Sequence, residues 1–284
     1  MANRIAIVTD STCDLPADWI KKYQITVVPM TLIFGNETFL DGIQITAGEF
    51  YERLSKKPIH PSTSQPSPEI FLEVFKKAAA EGAEAIVALV ISSAMSGTYA
   101  SALQASKQMT IPVHVYDSLN NSMGLGWQVM AAARAREQVG DVQAMLAAAQ
   151  KVRESMVYYI SLDTIEFLAK GGRIGGAMSL ANSVLKIKPL IYVRPDKGTV
   201  AAGIPARSRA TALNGLYHEF FKHIDTNKHM HIAVLHNAAE EEARVIEALI
   251  REEYSPQELF VSIVTPILGA HTGPRAVALC GYAD

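Results

Sequence analysis

Four short runs rich in β-branched residues, RIAIVTD (4–10), ITVVPMTLIF (25–34), AEAIVALVI (83–91) and PVHVYDS (112–118), are separated by helix-length segments. That alternation constrains the fold more than any other feature of the chain, because each apolar run must be covered on both faces by the segments next to it. The helix signals between the runs are explicit. Pro16 opens a helix after the polar turn DSTCD. Thr46 and Glu49 have capping-box spacing, which predicts a helix to about Lys56. Ser67 then caps a helix with Pro68 in its first turn, running to about Gly82, and SSAMSGTY (92–99) leads into a helix reaching about Met109. GNETFLDG (35–42) supplies turn chemistry, and Ser122 to Gln138 reads as a small-residue helix. Strands alternating with helices to about residue 155 imply a parallel, doubly wound sheet.

The second half is patterned differently. Residues 141–156 form a bridging helix, VYYIS (157–161) a strand, and residues 164–193 two short helices around a glycine turn and then a strand. GTVAAGIPA (198–206) reads as the return arm of a hairpin. A helix (210–224), a strand (230–237), a helix (239–254) and two strands (258–264, 276–282) complete the chain. Hairpins mixed with helices predict an α+β domain. The expected organisation is α/β overall: a Rossmann-like N-terminal domain over 1–158, and a C-terminal α+β domain with a mixed or antiparallel sheet over 159–284.

With 284 residues, 49% hydrophobic and 19% charged, the chain is long enough for two ordinary domains. A net charge of -2 gives no steering toward nucleic acid or an anionic membrane surface. Cys13 and Cys280 lie at opposite ends and form no CxxC pair, so neither a zinc site nor a disulfide framework is expected. No apolar h-region opens the sequence and no run approaches a membrane span, so a cytoplasmic protein is expected.

Common enzyme motifs are missing. There is no GxxxxGK[ST], HExxH or GxSxG, and TDSTCD stands where a dinucleotide-binding GxGxxG would come after the first strand. GGRIGG (171–176) sits between helical segments, so it reads as a helix–helix turn carrying Arg173 as a surface or site cation. Two hydroxyl clusters remain, PSTSQPS (61–67) and SSAMSGT (92–98), each opening a helix near the carboxyl edge of the sheet, where open α/β folds bind ligands. A helix start offers unpaired N–H groups and a partial positive charge. Ser96 before Gly97, with Thr63 opposite, suits a carboxylate or a phosphate held without a close cation. Equally, Ser67 and Ser96 read as helix caps and Thr63 as a turn residue. His271 in GAHTGPRAV (269–277) lies in a site-like glycine-rich loop or is simply structural.

Taken in order, VTDSTCDLP (8–16), TSQPS (63–67), SSAMSGTYASA (92–102), Asp117–Ser118, GGRI (171–174), LKIKPLI (185–191) and HTGP (271–274) resemble the DegV family over nearly the whole chain. The resemblance implies a long-chain fatty acid, palmitate- or oleate-like, in a tunnel between two domains. It implies no metal, no other cofactor and no catalysis by the chain itself. Some members of the family are the lipid-carrying subunit of a bacterial fatty-acid kinase and present the carboxylate to a separate ATP-binding subunit. By motif, Thr63, Ser96 and His271 match the carboxylate-binding set. Gly97, Arg173, Arg207 and Arg275 are candidates for head-group or partner contacts. Ile91, Ala94, Phe167, Leu168 and Ile187 are expected along the tail. The sequence departs from the family at Arg275, where a glycine is common, and at Met95, where leucine is common. Two other readings stay open: a regulator binding an organic phosphate at the same helix ends, and an acyl hydrolase built on Ser96, His271 and Asp117.

Overall fold

The computed structural model describes residues 4–56, 59–181 and 187–284, the side chain of residue 181 excepted. Leu185 and Lys186 of the LKIKPLI stretch lie outside them. The N-terminal half runs β1 (Ile5–Asp10), a 3-10 turn (Ser11–Cys13), α1 (Ala17–Lys22), β2 (Ile25–Val28), β3 (Thr31–Phe34), β4 (Glu37–Leu40) and α2 (Ala47–Lys56). It continues with β5 (Ser62–Ser64), α3 (Pro68–Ala80), β6 (Ala85–Val90), α4 (Thr98–Ser106), β7 (Val113–Asp117), α5 (Ser122–Gln138) and α6 (Val142–Glu154). Next come β8 (Val157–Ser161), α7 (Glu166–Lys170), α8 (Met178–Ala181), β9 (Leu190–Val193), β10 (Val200–Ala202) and α9 (Arg209–His223). The chain closes with β11 (Met230–His236), α10 (Glu240–Glu253), β12 (Glu258–Ile263), α11 (Pro266–Thr272) and β13 (Val277–Ala283).

These elements build an α/β molecule with a parallel sheet and a mixed one. The parallel sheet has the order β2-β1-β6-β7, and the mixed sheet β10-β9-β8-β13-β11-β12, in which only β11 and β12 are parallel. A third, three-stranded antiparallel sheet, β4-β3-β5, stands apart from both. It corrects two expectations. Residues 25–34 are not one strand: Pro29 offers no N–H to a ladder, and beyond it the chain leaves the parallel sheet for the small one. GNETFLDG is not only a turn either, since Glu37–Leu40 pairs with β3 around a hairpin whose Gly35 has φ +67°. Ser67 is the N-cap of α3 by position, with Pro68 behind it, but its side chain makes no capping bond.

Helix α5 explains how the two large sheets share one interior. Its sequence, SMGLGWQVMAAARAREQ, has almost no polar face, and all but a few of its residues are buried. A helix apolar all round belongs inside a molecule. It packs on β1 and β6 of the parallel sheet and on β13 of the mixed sheet. Gly126 lets it approach Cys13 O, where an added Cβ would stand at 2.5 Å. The Trp127 indole N–H donates to Cys280 O at 3.3 Å. Ile7, Val87 and Leu89 thus belong to the same buried cluster as Tyr158, Leu235 and Cys280.

Candidate functional site

The parallel strand β6 ends against a buried acid. Asp10, at the end of β1, accepts from Ile91 N–H at 2.7 Å and from the N–H and hydroxyl of Thr12 at 3.0 and 2.6 Å. This fixes the segment Ile91–Gly97, which turns across the sheet edge into α4. Ser92 N–H donates to Asn120 O at 2.8 Å, and Asp117 Oδ1 accepts from Ser93 and Leu119 N–H at 3.1 and 3.0 Å. Ser96 is brought to the surface of a cavity, its hydroxyl 2.8 Å from Thr98 Oγ1 and accepting from Thr98 N–H at 3.3 Å.

The opposite wall comes from the small sheet and α11. β5 carries Thr63, and α11 places His271 so that Nε2 lies 2.9 Å from Thr63 Oγ1. The other ring nitrogen, Nδ1, is buried without a hydrogen-bond partner. Burial first, then the Arg173 charge and His60, hold the His271 imidazole down at about 4, so it is neutral near pH 7. An unpaired buried N–H is costlier than an unpaired ring lone pair, so the proton belongs on Nε2, donated to Thr63. The Thr63 hydroxyl proton is then available to a group in the cavity. Burial also lowers the His60 pKa, and its ring lies against Phe167 with centroids 5.3 Å apart.

Counted with its open mouth, the space is about 830 Å³, and its lining is mostly apolar, as small-molecule sites usually are. Its walls are Thr63 of the small sheet with Met30 on the segment entering it, Ile91 just beyond the end of β6, and Ile160, Ile191, Leu235 and Ala278 from the mixed sheet. Leu168, Ile267 and Leu268 add helical side chains. The polar lining residues are tied to one another. Asn237 Nδ2 donates to Thr272 Oγ1 at 2.7 Å and Gly273 O at 2.6 Å, while Asn121 Nδ2 lies 3.0 Å from Met95 Sδ. Arg173, largely exposed, reaches Met95 O at 3.4 Å and Gly171 O at 2.7 Å.

Of the residues singled out in the sequence, Thr63, Ser96, His271, Arg173, Ile91 and Leu168 line this cavity together. Gly97 touches it indirectly: the Gln65 carboxamide covers its Cα, and a Cβ there would stand 2.6 Å from Gln65 Nε2. Ala94 lines a separate recess that shares Met95, Arg173 and Val200 with the cavity. Phe167, Ile187, Arg207 and Arg275 do not line the cavity. Phe167 packs on His60 and over Gly273, and Ile187 is half-buried against the shared core. Arg207 is exposed, and Arg275 turns to Glu242 at 3.4 Å. A hydrolase triad is not assembled: Asp117 is engaged by backbone N–H groups, His271 pairs with Thr63, and Ser96 pairs with Thr98. Gln65, Asn121, Asn237 and Met30 were not anticipated as lining residues. Only Gln65, inside the TSQPS stretch, carried a local signal. Among the described residues no group of three or more His, Cys, Asp or Glu is placed to hold a metal ion, and no helix is long and apolar enough to cross a membrane.

The chain matches a family profile described as an uncharacterised protein, DegV family, over residues 4–284. It is 35% identical over 276 residues to a DegV domain-containing protein of Streptomyces coelicolor, covering 96% of each chain. Among solved structures it is similar to a DegV family protein of Thermus thermophilus described by its fatty acid binding, at 30% identity and a TM-score of 0.92, covering 99% of this chain and 100% of that one. It is also similar to DegV of Bacillus subtilis, described as a fatty acid binding protein, at 26% identity and a TM-score of 0.89, with 99% of each chain covered. A stearic acid-binding protein of Eubacterium ventriosum superposes with a TM-score of 0.91 at 25% identity over 98% of each chain. The ordered motifs, the fold and these matches lead to one conclusion: the chain belongs to the DegV family.

Proposed function

We propose that this protein binds one long-chain fatty acid, with the acyl tail in the cavity and the carboxylate at Thr63, Ser96 and His271. The two lobes that enclose it are residues 1–158 and 159–284. The observation that carries the reading is the make-up of the cavity. Its apolar wall comes from the mixed sheet, from α7 and α11, and from Met30 and Ile91 beside the other two sheets, and its polar groups include a hydroxyl, Thr63, turned donor by a neutral histidine. Fatty acids bound by similar structures support it.

The division of labour comes from the chemistry of the ligand. Each buried methylene contributes about 0.8 kcal/mol, so a dozen give ~10 kcal/mol before ordering losses. The tail supplies affinity and the head group supplies orientation. Neutral hydroxyl donors hold the carboxylate while Arg173, bonded to the Met95 and Gly171 carbonyls, stays a peripheral charge, which leaves the carboxylate oxygens nucleophilic toward a phosphoryl donor. This suits a carrier that presents the carboxylate to a separate ATP-binding kinase subunit and performs no chemistry itself.

Mass spectrometry of the purified protein, native and after organic extraction, tests the reading. A stoichiometric long-chain fatty acid is expected. A protein that is empty and takes up neither palmitate nor oleate overturns it, and displacement of bound lipid by an organic phosphate would favour the regulator reading.

A further inference from the structure

Two helix ends meet beside the cavity mouth, and each accommodates an aromatic ring of the other. α7 ends at Gly171, and Gly273 stands just beyond α11. A Cβ added at Gly171 would fall on His271 Nδ1, inside the 3.0 Å that real Cβ contacts essentially never show, and 3.0 Å from Phe167 O. A Cβ at Gly273 would collide in the same way with the Phe167 ring. The two glycines differ in kind. Gly273 has φ +73°, so its backbone already demands glycine. Gly171 has φ -76° and ψ -7°, a conformation any residue adopts at a helix end. Its missing side chain is therefore explained by close approach alone: the nearest approaching atom belongs to the histidine that meets Thr63, and Phe167 O comes next.

We propose that Gly171 is a positioning residue for His271: its bare Cα seats the imidazole so that Nε2 meets Thr63 and Nδ1 is kept from water. The proposal deepens the fatty-acid reading of this site and rests on it only for the identity of the ligand. One edge of the ring is fixed by the 2.9 Å contact with Thr63, and the other is shut against α7. A water at Nδ1 would give the opposite tautomer a partner. Nε2 would then accept from Thr63, and the hydroxyl proton would point away from the cavity. The glycine thereby sets which way the Thr63 hydroxyl faces, although it touches no ligand itself. It also accounts for the first glycine of GGRI, which has no phosphate to cradle in its place between two helices.

Histidine-selective nitrogen NMR reads both tautomer and titration of His271. In the unaltered protein the ring should stay neutral with its proton on Nε2 from about pH 8 to about pH 5. In Gly171→Ala the ring must leave its seat, so its pKa should climb toward the ordinary 6.5 and its single tautomer should be lost. Fatty-acid affinity should fall roughly tenfold, the loss of one well-made hydrogen bond. Alanine at this φ would otherwise be tolerated, so most of its destabilisation should disappear in the His271→Ala background, where no imidazole contests the space. An unchanged His271 spectrum in Gly171→Ala overturns the proposal. So does a Gly171→Ala variant that fails to fold equally with and without the imidazole, because the clash then lies elsewhere. If the spectrum shifts as expected but neither protein takes up palmitate or oleate, the ligand assignment fails and the positioning role stands.

Discussion

At the scale of single residues, the site depends on hydroxyl groups that have a structural task as well. Ser96 accepts from Thr98 N–H at the start of α4, so its role at the ligand is separable from its role in the helix. Ser96→Ala should leave the melting temperature within a few degrees, since a lost cap-like bond is worth about 1 kcal/mol, while palmitate affinity drops roughly tenfold. Thr63→Val keeps the shape of the side chain and removes the hydroxyl that joins His271 to the cavity. It should weaken binding at least as much, measured by the same lipid titration. Hydroxyl-rich helix starts were visible in the sequence because few other reasons place Ser and Thr beside Gly and Pro. Asn121 and Asn237 were not, since an asparagine in a loop reads as a turn former until the fold buries it. The structure also brings together Asp10, Asp14 and Asp41, from the DSTCD and GNETFLDG turns, and buries them. Burial raises the pKa of each, to about 7 for Asp14 and for Asp41; repulsion from Asp41 and Asp10 adds to the shift of Asp14, and repulsion from Asp10 to that of Asp41.

At the scale of elements, α11 organises the site, and it is the element the sequence concealed. PILGAHT is short, carries a glycine and lacks a helical stripe, so a loop was the natural expectation. Its start is held from outside: Asp14 Oδ1 accepts from Thr265 N–H at 2.9 Å, while Oδ2 accepts from the Ser122 hydroxyl at the start of α5. One carboxyl group therefore ties the helix bearing His271 to the helix at the centre of the molecule. Asp14→Ala removes the acceptor for both donors, the buried Ser122 hydroxyl and the half-buried Thr265 N–H. A loss of about 2–4 kcal/mol in denaturant unfolding is expected. Hydrogen exchange should show the start of α11 becoming exposed before the strands of the mixed sheet. Strong elements were legible from their ends. The Thr46–Glu49 box forms as spaced, with Glu49 accepting from Thr46 N–H at 2.8 Å. The break at Pro29 was not legible, because the apolar residues on both sides of it disguised a change of sheet as one long strand.

At the scale of the whole molecule, a parallel sheet leading into a mixed one was readable from pattern. The buried helix between them was readable only in part. Ser122 to Gln138 read as a small-residue helix, but not as one that both sheets would share. The same interior determines how stability responds to pH. A carboxyl group whose pKa is higher in the folded chain binds its proton more readily there, so its contribution is lost as pH rises from about 4 through about 7. His271 has the opposite sign. Its folded pKa of about 4 lies below the ordinary 6.5, so its contribution is lost as pH falls through that interval. The two trends partly cancel in the unaltered protein and separate on substitution. Asp41→Asn should raise stability on the order of 2 kcal/mol at about pH 8, and the gain should shrink toward about pH 5. Thermal melts of both proteins across that range measure the difference. The small β4-β3-β5 sheet has a packing of its own, in which Leu32, Phe34 and Phe50 close on Ile267 and Ala270 of α11. It lends Thr63 to the cavity while, among the described residues, sharing no ladder with the larger sheets. A wall built as a separate panel is open to independent variation: descendants of one ancestor can reshape the chamber by redesigning this panel alone, and leave the frame that folds the protein untouched.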